Sequence, residues 1–98
     1  MILQGEFDGK EITIEYEGEG KPCRLRVKYA PPIDMLIDRG EFSNSRSLSA
    51  QLRSEIGYME CCELLFAHDI PKDSGLWALN HDGYPSDHFI KTYFPDRV

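Results

Sequence analysis

Glu11-Ile-Thr-Ile-Glu-Tyr-Glu17 and Cys23-Arg-Leu-Arg-Val-Lys-Tyr29 decide the fold class. In the first, Ile12, Ile14 and Tyr16 alternate with Glu11, Thr13, Glu15 and Glu17. In the second, Cys23, Leu25, Val27 and Tyr29 alternate with Arg24, Arg26 and Lys28. Period two is the pattern of a strand buried on one face only. Gly18-Glu-Gly-Lys-Pro22 between them is turn-forming, so the two strands run antiparallel. If Tyr16 faces Leu25 and Ile14 faces Val27, Glu17 meets Arg24 and Glu15 meets Arg26 on the other face. A two-residue slip keeps both kinds of pairing, whereas a one-residue slip puts charges in the core and is excluded.

Upstream, Met1–Phe7 reaches this pair through Asp8-Gly9, a two-residue hairpin signal because both residues tolerate positive φ. A two-residue loop sets Leu3 against Ile14, Gly5 against Ile12 and Glu6 against Glu11. Downstream, Ala30-Pro-Pro-Ile33 ends the third strand, and Ile33–Asp38 reads as a helical turn or two before Gly40. Leu48, Leu52, Ile56, Met59 and Cys62 recur at three- and four-residue steps, which predicts one main helix from near Arg46 or Leu48 covering the sheet. Gly57 interrupts this stripe. It leaves a second possibility, in which the helix stops at Ile56 and Glu60–His68 forms a strand. Leu76–Asn80 reads as a short strand. Ser86 caps a last helix whose expected buried side is Phe89, Ile90, Tyr93 and Phe94. The expectation is a single α+β domain over residues 1–98: a three-stranded antiparallel meander packed by one main α-helix, with a short strand and a short C-terminal helix.

The chain has 98 residues and a net charge of −6, a balance that opposes attraction to nucleic acid or anionic membrane. Arg24, Arg26 and Lys28 have carboxylates one strand away, so the basic stripe reads as a self-neutralised sheet face. There is no run of ~18 apolar residues and no signal-peptide pattern at the start. Three cysteines without a secretion signal point to a reducing, cytoplasmic setting.

No Gly-x-Ser-x-Gly elbow, phosphate loop or His-Glu-x-x-His motif is present. Cys61-Cys62 lacks the two- to four-residue spacing of metal cysteines and reads as buried thiols. His68, His81 and His88 fall within 21 residues, each beside an aspartate (Asp69, Asp82, Asp87). Imidazole and carboxylate are the ingredients of a divalent-metal site or of acid–base catalysis. Neighbouring residues diverge on a strand or helix, however, so the sequence offers no ready-made ligand pair. With no catalytic motif, no cofactor is expected. The leading expectation is a non-catalytic small acidic protein that binds another protein, as an inhibitor, immunity-type or adaptor module. Trp77, Tyr84, Phe89 and Tyr93 are its candidate interface anchors. A homodimer through the Met1–Phe7 edge strand is a further possibility. One alternative is a metal-binding protein or metal-dependent hydrolase using His68, His81, His88 and Asp82. Another is a small-molecule or nucleotide binder with a pocket between the sheet and the C-terminal segment.

Overall fold

The computed structural model describes residues 1–18, 20–80 and 82–97. It is α+β: a four-stranded antiparallel sheet with three α-helices. The strands are β1 (Ile2–Phe7), β2 (Lys10–Tyr16), β3 (Cys23–Tyr29) and β4 (Met35–Phe42), in the order β1-β2-β3-β4. The first hairpin has the expected register, with Leu3 opposite Ile14, Gly5 opposite Ile12 and Glu6 opposite Glu11. Asp8 and Gly9 take φ of 50° and 77°, which the two-residue turn requires. Between β2 and β3 the register is the two-residue slip, with Tyr16 opposite Cys23, Ile14 opposite Leu25 and Glu15 opposite Arg24.

The meander therefore has four strands, not three. Residues 33–38 are not a helical turn: Asp34 N–H closes a turn onto Ala30 O, and Met35–Phe42 returns as β4 alongside β3. Leu25 pairs with Gly40 and Arg26 with Asp38, so Arg39 is an extra residue, a β-bulge on β4.

Leu3, Ile12, Ile14, Cys23, Leu25 and Val27 form the buried face of the sheet. The helices α1 (Ser45–Glu55) and α2 (Tyr58–Ala67) supply Leu48, Leu52, Cys61, Cys62, Leu64 and Leu65 to the same core. They replace the single continuous helix that the stripe predicts. The helix does stop at its Ile56 C-cap, as the Gly57 alternative has it, but residues 60–67 continue as helix and not as a strand. Asn44 caps α1 by accepting from Ser47 N–H at 2.9 Å. The helix ends at Glu55, whose side chain is held by the sheet. Ile56 and Gly57 then turn extended, with φ/ψ of −135°/160° and −82°/178°, before α2 begins.

Leu76–Asn80 is not a strand either. Gly75–Leu79 is a 3₁₀ helix capped by Ser74, whose Oγ accepts from Leu76 N–H at 3.2 Å. Leu76, Trp77 and Leu79 are all buried, which an alternating strand with one open face cannot arrange. The last helix, α3 (Asp87–Tyr93), starts as expected: Phe89 N–H donates to Ser86 Oγ at 3.2 Å. Its buried side is narrower than expected. Ile90 is buried, Phe89 and Phe94 are half-buried, and Tyr93 is 56 % exposed.

Candidate protein-binding surface

The sheet has two edges, β1 and β4, and backbone alternation says which groups each presents to solvent. Tyr16 and Met1 exchange both N–H···O bonds at 2.9 Å, and Ala30 N–H donates to Gly9 O at 2.8 Å. In an antiparallel ladder the direction of the backbone groups alternates from residue to residue. On β1, Leu3, Gly5 and Phe7 therefore point their backbone to β2, and Ile2, Gln4 and Glu6 point outward. On β4, Met35 and Ile37 point to β3, and Leu36 and Asp38 point outward.

The β1 edge is occupied at its centre. His68, at the C-terminus of α2, places Nε2 3.1 Å from both the amide nitrogen and the carbonyl oxygen of Gln4. Depending on tautomer, the imidazole accepts from the one or donates to the other. The bond occupies Gln4 alone: Ile2, whose backbone also points outward, and Met1 are 59 % and 66 % exposed on the same edge.

The β4 edge is different. Ile33, Met35 and Leu36 are 58 %, 50 % and 62 % exposed. Leu36 shares the outer face with Lys28, its partner across the ladder. Met35 lies on the same side as Ile37 and the core. An open strand edge flanked by three large apolar side chains is a surface that proteins otherwise blunt or cover.

Two polar clusters hold this edge in shape. On the inner side, the bulge turns Arg39 onto Glu55, whose side chain is 4 % exposed. Arg39 donates to Oε1 through Nε and Nη2 at 3.1 and 2.7 Å, and Tyr29 OH donates to Oε2 at 3.0 Å. Lys10 Nζ donates to Glu55 O at 3.0 Å and sits 3.7 Å from Oε2. One carboxylate thus ties the end of α1 to β2, β3 and β4. Burial alone would raise its pKa, but the bonds from Tyr29 and Arg39 outweigh that and hold it below the usual range. On the outer side, Arg24 donates to Asp38 Oδ2 at 2.6 Å, and Asp38 Oδ1 accepts from Gly40 N–H at 2.8 Å. Those bonds lower the Asp38 pKa. Arg26 engages Glu15 and lies 3.8 Å from Asp38. Carboxylates thus engage both outer-face arginines, Arg24 and Arg26.

The aromatic residues proposed as anchors divide. Trp77 is 2 % exposed and its Nε1 donates to Ile70 O at 3.1 Å, so it is core and not interface. Tyr84 packs edge-on against Trp77 at 4.8 Å and is half-buried. Phe89 packs on Tyr58 at 5.4 Å and on Tyr93 at 4.9 Å. Tyr93 alone of the four is largely open.

The histidines do not assemble a site that can be described. His68 is on the β1 edge, His88 is exposed on α3, Asp82 is exposed, and His81 lies outside the described residues. Among the described residues no three His, Cys, Asp or Glu side chains converge to hold a metal ion. Cys23, Cys61 and Cys62 are free and buried. Burial pushes the Cys61 thiol up to about 12 and raises Cys62, which accepts from Asn80 Nδ2 at 3.0 Å. Thiols so shifted are poor nucleophiles at neutral pH. A broad surface cleft of about 610 Å³ lies between α1 and the 3₁₀ helix, lined in part by Arg46, Ser49 and Asn80. A second cleft of about 410 Å³ lies between Tyr16 with the β2–β3 turn and Gly75 with Ala78. Among the described residues no helix is long and apolar enough to cross a membrane.

The β4 edge and the Glu55 cluster are not visible in the sequence pattern. The one signal pointing to the edge is the apolar run Met35-Leu36-Ile37, which shows neither helical nor strand periodicity. Comparison with protein-family models, with curated proteins and with solved structures finds no match.

Proposed function

We propose that this chain is a non-catalytic protein that works by binding another protein, as an inhibitor, immunity-type or adaptor module. Binding is by addition of an extended segment to the open edge of β4. The observation that carries this reading is the exposure of Ile33, Met35 and Leu36 along a strand edge whose outward backbone groups have, among the described residues, no strand beside them. Main-chain bonds to Leu36 and Asp38 supply affinity, and apolar contacts to Met35 and Leu36 supply selectivity. The work is done in a reducing, cytoplasmic setting, where three buried free thiols persist.

The test uses two baits, the wild-type chain and Leu36→Glu, each exposed to an extract of the source cell. The introduced carboxylate faces Lys28 across the ladder, so the variant keeps its fold. The expected result is a stoichiometric protein retained by the wild type and lost by the variant. Equal retention by both baits would move the binding surface away from β4.

A further inference from the structure

We infer that the strand added to β4 is β4 of a second copy, paired antiparallel about a twofold axis at Leu36. This rests on the reading of β4 as a binding edge and names what covers that edge while no other protein is bound to it.

The argument is one of self-complementarity. A two-fold antiparallel pair keeps side chains on matching faces only in registers that differ by two residues per step. With Leu36 opposite Leu36 of the second copy, Met35 lies opposite Ile37 and Ile37 opposite Met35. All three central pairs are then apolar, and the two Leu36 residues exchange the outward N–H and C=O groups that β3 leaves unused. Sliding one step toward the C-terminus puts Leu36 against Asp38, and the next step puts Asp38 against Asp38. The pairing centred on Leu36 buries Met35 and Leu36, two of the large apolar side chains that the single chain exposes.

Its charged contacts set Asp38 against Asp34, once on each side of the axis. Each is softened because Asp38 is already bonded to Arg24 at 2.6 Å. The bulge at Arg39 ends the pairing on one side, and the turn at Asp34, with φ of 45°, ends it on the other. The far edge of each sheet carries His68 against Gln4, which opposes strand addition at that residue and so growth beyond two copies. Each copy contributes about four residues of strand, less than the ~800 Å² per partner of a standard interface, so the dimer is weak and exchanges with monomer.

The experiment is sedimentation equilibrium on the untagged chain between about 5 µM and about 500 µM, the span in which a weak interface dissociates. Four samples are compared: wild type, Leu36→Glu, Leu36→Lys, and an equimolar mixture of the two variants. Circular dichroism confirms that each is folded. The wild type is expected to pass from monomer to dimer and no further. Because each copy carries −6, added salt strengthens the dimer, whereas it would weaken binding of a basic partner. Each variant alone places like charges at the axis and is expected to lose at least about tenfold in affinity. The mixture, with Glu facing Lys, regains dimer.

A wild type that stays monomeric throughout overturns the inference, as does dimerisation of both single variants at wild-type strength. A monomeric wild type whose captured protein is lost with Leu36→Glu removes the second copy and leaves strand addition at β4 in place. A monomer with capture unaffected removes both.

Discussion

The two edges of this sheet are built from similar lengths of chain and end in opposite states. β1 runs beside α2 and has His68 bonded across its middle residue. β4 has α1 at one end only, through Glu55, and carries exposed Ile33, Met35 and Leu36 along the rest. An edge strand is a template for further pairing unless something occupies its outward backbone groups. Here one edge is occupied from within the molecule and the other is shaped, by a bulge and a buried carboxylate, into a short open stretch. The contrast locates a binding surface that residue types alone do not reveal.

The largest effect on this contrast is expected from Glu55→Ala. It leaves Arg39 and Tyr29 without their acceptor, removes the Lys10 ion pair while keeping the Lys10 bond to the main-chain oxygen, and frees β4 from α1. Breaking a buried ion pair costs roughly 3–5 kcal/mol. Arg39 and Lys10 keep 33 % and 26 % of their side-chain exposure and recover part of that from water, so a loss of about 2–3 kcal/mol is expected. Urea unfolding measures it, and a change under about 0.5 kcal/mol would mean that β4 is held by β3 alone.

Acid probes the same clamp. The folded-state pKa values of Glu55 and Asp38 lie below their ordinary values. Their contribution is therefore complete above the unfolded carboxylate values near pH 4 and is lost as pH falls through the folded values. Melting temperature should fall on acidification below about pH 4.5, and in Glu55→Ala the fall should be shallower. Parallel curves for the two proteins would assign the acid sensitivity elsewhere.

His68→Ala tests the other edge. Losing one partly exposed hydrogen bond is expected to cost about 1 kcal/mol. It also opens β1, so light scattering should show species larger than a dimer that the wild type does not form. A clean monomer–dimer profile would show that α2 alone protects β1.

The smallest effect on stability is expected from Leu36→Glu. The new carboxylate faces Lys28 across the ladder, so unfolding free energy should move by no more than about 0.5 kcal/mol. A large loss would mean that Leu36 supports the monomer itself.

The sequence is legible where stability is local. Period-two alternation in β2 and β3, the Asp8-Gly9 turn and the Ser86 cap each act through neighbours in the chain, and each is read correctly. β4 is not legible because it is an edge strand with a bulge: Met35-Leu36-Ile37 does not alternate, and its conformation is imposed by β3. The break after Glu55 is half legible: Gly57 marks where the helix stops, but the chain resumes as a helix over Tyr58–Ala67 and not as a strand, and what holds the helix end is hidden. A glutamate beside an apolar stripe reads as a solvated helix position, and only the convergence of Lys10, Tyr29 and Arg39 from three strands makes it a buried anchor. Trp77 and the residues around it read as a strand because Ser74 capping and a 3₁₀ turn leave no period to detect over five residues.

By itself, then, the sequence determined an acidic α+β chain, the hairpins of its first three strands, and a charged outer sheet face that neutralises itself. Those follow from alternation, turn chemistry and cross-strand charge, all of which act within a strand or between adjacent ones. Only the tertiary structure decided the fourth strand, that the chain after Gly57 is a second helix and not a strand, the burial of Trp77 and which edge stays open. Each of these depends on groups far apart in the chain, His68 with Gln4 and Glu55 with Lys10, whose energies exist only once the sheet and helices are packed together.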